Sequence, residues 1–333
     1  CGCYRTTEWA KILLDKDDRC THGEILMSDK EQEKLIEELQ DMAKKTGLDF
    51  SEEIEKITKK LQSSKDAAAK VWKHVELARH SDRPRTLDYI EMIIDDFVEL
   101  HGDRFYGDDP AMIGWIGFIE GIPVTVIGNM KGRNLRETID RNGGMANPEG
   151  YRKALRLAKQ AEKFHRPIIT FIDTQGAYPG LGAEERGIGE AIAVNLKEFS
   201  QLKTPIICII IGEGGSGGAL GIGVGDKIYM MENAIYSVIS PEGCASILLR
   251  DSTRAKDAAA MLKITSKEVL GLKVINGVIP EPEGGAQNNP KEAAESIRKK
   301  ILKDLKDLME RNPSVLVKYR NKKIKNMGNF NET

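Results

Sequence analysis

The sequence predicts an α/β fold built on a largely parallel sheet, and three observations predict it. Residues 168–173 (IITFID) form a short apolar run, followed by the glycine-rich loop 174–180 and a helical pattern over 183–200. The same order then repeats: Pro205 opens the apolar run 206–211, glycines recur from Gly212 to Gly225, and Gly218-Ala219-Leu220 reads as a helix start. A third apolar segment, 226–240, ends in Pro241-Glu242-Gly243-Cys244-Ala245. Runs that are apolar at every residue suit strands buried on both faces. Strand–loop–helix repeats give parallel neighbours joined by right-handed crossovers.

The elements follow in chain order. Residues 1–26 carry no hydrophobic period and read as an atypical extension, a fragment or an upstream translation, with the protein proper starting at Met27. Cys1, Cys3, Cys20 and His22 are spaced C-x-C and C-x-H rather than as paired C-x-x-C, so no metal site is predicted there. Ser28 and Glu31 make a capping box for a helix with Leu35, Ile36, Leu39, Met42 and Ala43 on one face, ended by Gly47. A second helix from Ser51 carries Ile54, Ile57, Leu61, Val71, Trp72 and Val75, giving a helical hairpin arm over 27–83 in which His74 and His80 are surface residues. After Pro84, a helix from Thr86 or Asp88 is expected to present Ile90, Ile93, Ile94, Phe97 and Leu100 on one side. MIGWIGFI and PVTVIGN read as a hairpin turning at Glu120-Gly121. A long loop leads to Pro148, which opens a helix whose outer face carries Arg152, Lys153, Arg156 and Lys159. With Lys131, Arg133, Arg136 and Arg141 these form a basic cluster, either a solvated face or an anion or partner site. The sheet domain runs over 84–289, and 290–333 is a charged helix with Ile297, Ile301, Leu305 and Leu308 inward, followed by a basic tail.

Composition narrows the function classes. The 333 residues hold 50 Lys and Arg against 51 Asp and Glu, a formal net charge of −1, which argues against a protein that coats nucleic acid. No run of 18 apolar residues is present, so no membrane span is expected. Five scattered cysteines, with Cys208 and Cys244 in apolar settings, fit a reduced, cytoplasmic protein.

The chemistry points to the glycine loops. Both lie at carboxyl ends of buried strands, where open α/β sheets bind ligands. A strand that breaks into glycine brings backbone N–H groups close to whatever lies beyond it, and a helix start aims them at negative charge. That is the layout of an oxyanion hole. Gly212-x-Gly214-x-x-Gly217 also fits the dinucleotide fingerprint, with Glu232 further on, but the helix it should open would carry Gly221, Gly223 and Gly225. A P-loop is excluded because no Lys-Ser/Thr follows, and Ser216 as a nucleophile lacks a base, since no histidine follows His165. A purely structural glycine turn stays open as the alternative.

DTQGAYPGLGAEERG, IGEGGSGGALGIGVGDKIYM, YSVISPEGCASIL and PEGYRKALRLA closely resemble the carboxyltransferase alpha subunit of the multi-subunit, bacterial and plastid-type acetyl-CoA carboxylase, over about Met27 to Glu310. The resemblance implies a crotonase-like fold of repeated β-β-α units and transfer of the carboxyl group of carboxybiotin to acetyl-CoA, giving malonyl-CoA. It implies an α2β2 assembly whose zinc-ribbon beta subunit offers the acetyl-CoA side, with the biotin carboxyl carrier protein and biotin carboxylase as further partners. Gly217 and Gly218 match the glycine pair that gives backbone donors to the biotin ureido oxygen; Gly176, Ala177, Tyr178, Gly214, Gly215 and Ala219 are expected around the cofactor. Glu184, Glu185 and Glu213 are expected to order loops rather than to act as acids. Three departures from the family pattern stand at Gln175, at Gly128-Asn129-Met130-Lys131-Gly132 and at Gln287. An acyl-CoA hydratase or isomerase, which would need paired carboxylates facing the acyl group, and a non-catalytic assembly subunit are the alternatives.

Overall fold

A computed structural model describes residues 29–328, so the Ser28 capping box and the Cys1, Cys3, Cys20, His22 set lie outside the described residues. The chain divides into two compact units between Asp66 and Ala67. The first holds α1 (Asp29–Thr46) and the start of α2 (Ser51–Ala78). Leu39 and Leu61 are its buried apolar contacts, and Lys65 Nζ reaches Glu33 at 2.8 Å.

The second unit begins inside α2, whose Val75 and Ala78 bury against Ile235, Ala259 and Ile264. Next come α3 (Thr86–Ile93) and β1 (Asp95–Glu99). The expected helix is therefore cut short: Phe97 falls on a strand, and Leu100 just beyond it donates its N–H to the Gly114 carbonyl at 2.8 Å. Pairing decides this, because β1 lies antiparallel along β2 (Met112–Ile119), and Gly117 has no side chain where a Cβ would sit 2.9 Å from the Asp95 carbonyl. The hairpin to β3 (Ile122–Asn129) turns where expected, with Glu120 and Gly121 both at positive φ, as a two-residue primed turn requires.

The long loop contains a short helix, α4 (Leu135–Asp140), capped by the Asn134 side chain on the Glu137 N–H. Then follow α5 (Pro148–Lys163), β4 (Ile168–Thr174), α6 (Leu181–Glu185) and α7 (Ile188–Gln201). The single helix expected over 183–200 is split at Gly187, whose φ of 78° breaks the helical path. β5 (Ile206–Gly215) extends into the glycines and leads to α8 (Ser216–Leu220). The third apolar segment is two strands, β6 (Lys227–Met231) and β7 (Ile235–Ser237), followed by α9 (Pro241–Cys244), α10 (Ala255–Leu262), α11 (Ser266–Gly271), β8 (Gly277–Ile279), α12 (Pro290–Met309) and α13 (Pro313–Lys325).

One sheet runs β1-β2-β3-β4-β5-β6-β8, antiparallel at its first two pairings and parallel from β3 on, with β7 also paired to β5. All of β4 is buried, as is β5 up to Gly214, which places the core of the unit along these strands. α12 turns Ile297, Ile301, Leu305 and Leu308 inward as their spacing predicts, each worth roughly 1.5–3 kcal/mol of burial. The basic tail is replaced in part by α13. Its Arg320 is buried, pairs with Asp226 at 2.7 Å and donates to the carbonyls of Phe199, Leu202 and Thr204. No helix among the described residues is long and apolar enough to cross a membrane.

Candidate functional site

The carboxyl ends of β4 and β5 bring the two glycine loops together. After β4, the Thr174 hydroxyl accepts the Gly176 N–H at 3.2 Å and donates to the Gly176 carbonyl at 2.7 Å, folding the loop back on itself. The Tyr178 N–H donates to the Ala146 carbonyl at 3.0 Å, which ties the loop to the segment before α5. After β5 the chain turns at Ser216, a non-glycine residue at φ 49°, straight into α8. No side chain caps α8, so the first backbone N–H groups of this turn have neither an intrahelical nor a capping acceptor.

The glycines have separable reasons. A Cβ on Gly215 would lie 2.0 Å from the Gln175 carbonyl oxygen, and one on Gly218 would lie 2.3 Å from the Gly176 carbonyl carbon. At these two positions the loop backbones touch, so packing alone demands glycine. Gly214 is backed by the Tyr236 ring, 2.8 Å from where its Cβ would be. Gly176 and Gly217 differ. Nothing lies within 4 Å of a Cβ on Gly176, and one on Gly217 would meet only Ile192, at 3.5 Å. Packing does not account for glycine there. Ala177 is partly buried against the core, and Ala219 is fully buried, so only its backbone is available to the loop.

Beneath the loops lies a floor of paired charges. Lys131 Nζ is 2.8 Å from Asp173 Oδ1 and 2.6 Å from Glu213 Oε2; Arg85 holds the other Asp173 oxygen at 3.1 Å, and Arg79 the other Glu213 oxygen at 2.8 Å. Arg79 also reaches Glu242, in the first turn of α9, at 2.7 Å. Burial works to raise the Asp173 and Glu213 carboxyls, but the cations outweigh it, Lys131 and Arg85 for Asp173 and Lys131 and Arg79 for Glu213, so both are held below their usual range. These carboxylates are ionised and fully engaged near neutrality, and neither is poised to trade a proton. A small cleft beside the floor is lined by Arg79, Gln175, Glu213, Gly215, Ser237 and Pro241.

The acetyl co-enzyme A carboxylase carboxyltransferase-like family matches residues 27–328 of the chain. The chain belongs to this family. It is 78% identical over 306 residues to the acetyl-coenzyme A carboxylase carboxyl transferase subunit alpha of Treponema denticola, covering 92% of this chain and 100% of that protein. It is 55% identical over 308 residues to the subunit of the same name from Alkaliphilus oremlandii, covering 90% of this chain and 98% of that one. Among solved structures it is similar to transcarboxylase 12S with methylmalonyl-coenzyme A bound, with a TM-score of 0.56 and 20% identity, over 68% of this chain and 41% of that one. It is also similar to a Pseudomonas malonate decarboxylase hetero-tetramer in complex with coenzyme A, with a TM-score of 0.53 and 16% identity, over 65% of this chain and 86% of that one. The fold is crotonase-like, as the family resemblance implies.

Within this family member, most cations of the expected basic cluster are engaged by the chain itself, while Arg136 is exposed. Lys131 is buried in the floor, and Lys153 is buried on α5, paired with Asp108 and donating to the Asp109 carbonyl at 2.9 Å. Arg133 pairs with Asp88 at 2.7 Å, Arg141 donates to the Pro110 carbonyl at 2.6 Å, and Arg152 pairs with Asp103 at 2.8 Å. Arg141 ties the loop after β3 to the loop between β1 and β2, Arg152 and Lys153 tie α5 to that same loop, and Arg133 reaches back to α3. Arg133→Ala is expected to cost less than about 1 kcal/mol in urea denaturation, since its pairs are half exposed and screened. A loss of several kcal/mol would show that the pair is a structural anchor instead.

Sequence reasoning left Arg79, Arg85, Lys131, Asp173 and Glu242 out of the site. One signal is present: a carboxylate stands where each buried run gives way to its glycine loop, Asp173 in the first unit and Glu213, between Gly212 and Gly214, in the second. Buried carboxylates require buried cations. The left-handed turn at Ser216 has no counterpart in residue spacing. Glu184 and Glu185 are exposed, away from the floor.

Proposed function

We propose that this chain is the carboxybiotin-side subunit of a two-part carboxyltransferase that forms malonyl-CoA from acetyl-CoA, the first committed step of fatty acid synthesis. The observation that carries the reading is the turn into α8, where no side chain caps the first backbone N–H groups, Gly217 has open space beside it and Gly218 packs directly on the Gly176 loop. Carboxybiotin enters as a substrate carried by the biotin carboxyl carrier protein, after its charging by biotin carboxylase. As its N–CO2 bond breaks, negative charge grows on the ureido oxygen, and it is this charge that the Gly217 and Gly218 N–H groups stabilise. Gly176, Ala177 and Tyr178 form the opposite wall, and Gly214, Gly215 and Ala219 fix the donor loop. The released biotin nitrogen takes a proton from the acetyl methyl group, and the resulting enolate attacks CO2, so no protein base is required. That agrees with a floor whose carboxylates are held ionised. The hydratase alternative needs carboxylates free to exchange protons, and Asp173 and Glu213 are each held between two cations.

The thioester oxygen needs its own donors, which this reading assigns to a zinc-ribbon beta chain in an α2β2 assembly in the cytoplasm. The test combines the chain with that beta chain, carboxybiotin and acetyl-CoA, and follows malonyl-CoA. The chain alone is expected to give none, and Gly217→Val in the complex is expected to lose ~10²-fold or more in turnover while melting like the parent. A folded Gly217→Val complex that transfers carboxyl at the normal rate would sink the assignment of this donor.

A further inference from the structure

Strand pairing does not by itself set the distance between the two glycine loops. β4 and β5 run in register from Ile168↔Ile206 to Ile172↔Ile210, and then the register shifts, so that Thr174 faces Gly214. The shift falls at Asp173, just before the Gly176 loop opens. There a side-chain tie replaces the ladder. Asp173 Oδ1 accepts the Glu213 backbone N–H at 2.9 Å, and Lys131 Nζ spans both carboxylates at 2.8 and 2.6 Å. A Cβ on Gly212 would lie 2.4 Å from the same Asp173 oxygen, so the carboxylate sits directly against the β5 backbone. Lys131 arrives from a third strand, two residues past the end of β3, and its stem runs against Gly144, where a Cβ would come within 2.9 Å of Lys131 Cγ. The ammonium is thus fixed from outside both loops.

We propose that Lys131 is a positioning residue for carboxyl transfer: it holds the Gly176 loop and the Gly217-Gly218 loop at the separation the backbone donors require. This rests on the reading of Gly217 and Gly218 as donors. The tie is separable from simple charge neutralisation, because Arg85 stays on Asp173 and Arg79 stays on Glu213 when Lys131 is removed. The three cations Lys131, Arg79 and Arg85 balance the three carboxylates Asp173, Glu213 and Glu242. Removing Lys131 together with the Glu213 charge keeps that balance: it deletes the bridge and turns the Arg79–Glu213 ion pair into a neutral-acceptor contact, while Arg79 keeps its pairing with Glu242.

The experiment uses the full chain in complex with its beta partner, and compares Lys131→Met, Lys131→Met/Glu213→Gln and Gly217→Val. Each is assayed for kcat, for KM toward acetyl-CoA and for melting temperature. Both Lys131 variants are expected to lose about tenfold or more in kcat, with acetyl-CoA KM within about twofold of the parent, since sub-ångström misplacement of donors acts on the transition state. The double variant is expected to melt near the parent. Retention of kcat by the folded double variant, while Gly217→Val loses it, overturns this inference and spares the donor assignment. Full kcat in Gly217→Val overturns the donor assignment and this inference with it. A rise in KM that matches the fall in kcat, or failure of both Lys131 variants to assemble, makes Lys131 a structural charge and overturns the positioning role.

Discussion

Gly218→Ala is expected to lower carboxyl transfer by ~10²-fold or more in the reconstituted complex. The reason is steric rather than chemical, because alanine keeps the backbone N–H. Its Cβ would lie 2.3 Å from the Gly176 carbonyl carbon, 2.5 Å from its oxygen and 2.7 Å from the Ala177 nitrogen. All three are backbone atoms, so no rotamer change relieves the contact, and the two loops must move apart. Gly217→Ala is the control. Its Cβ would meet Ile192 at 3.5 Å, an ordinary contact, so this variant is expected to fold and melt as the parent does. Malonyl-CoA formation and melting temperature are measured for both. Parental turnover in Gly218→Ala would mean that the separation of the loops does not govern the chemistry.

Arg83→Met is expected to cost about 3–5 kcal/mol of stability, because it strands a buried carboxylate. Arg83 and Glu281 are both fully buried, 2.6 Å apart, and Arg83 Nε also donates to the Ile211 carbonyl at 2.7 Å, in the middle of β5. Glu281 accepts further N–H groups from Asn233 and Ala286, so its lone pairs are filled. Burial pushes the Glu281 carboxyl up, but the Arg83 hydrogen bonds and charge outweigh it, and the group titrates below its ordinary value. For a carboxylate shifted this way, the stabilisation is complete above the unfolded-state pKa of about 4.3 and is lost as pH falls through the lower folded-state value. The gap in urea midpoint between parent and Arg83→Met should therefore be widest near neutrality and narrow below about pH 4. A gap that stays constant on acidification would assign the loss to packing of the arginine stem.

Much of the fold was legible because the buried strands are apolar at every residue. The runs 168–172 and 206–211 have one structural solution, and the stripe Ile297, Ile301, Leu305, Leu308 has another. Glu120-Gly121 fixed a hairpin for local backbone reasons. What was not legible depended on partners far along the chain. Phe97 and Leu100 continue the helical spacing of Ile90 and Ile93, and only the open edge of β2 pulls Phe97 into a strand and binds the Leu100 N–H just beyond it. Lys131 reads as one more cation on a charged loop, since lysine is rarely buried and the carboxylates that bury it lie on two other strands. The site itself was half visible. Glycine runs after strands marked both loops, but sequence spacing does not separate Gly215 and Gly218, which packing requires, from Gly176 and Gly217, which it does not.

β5 is gripped on both edges up to the residue where the donor turn begins. Thr174 of β4 pairs with Gly214 on one side, and β7 pairs with Glu213, Gly214 and Gly215 on the other, while the earlier half of the strand is held by β6. In water, dipoles must reorient as charge moves from one atom to another, and that reorganisation is a large part of the barrier to any carboxyl shift. On the proposed reading, the Gly217 and Gly218 amides follow directly on a strand paired along both edges, so the polar response is already in place when the N–CO2 bond begins to stretch. The same rigidity sets a geometric filter. On that reading, a substrate whose developing charge falls an ångström from the Gly217-Gly218 turn finds no dipole able to follow it, and the stiffness of the strand itself discriminates.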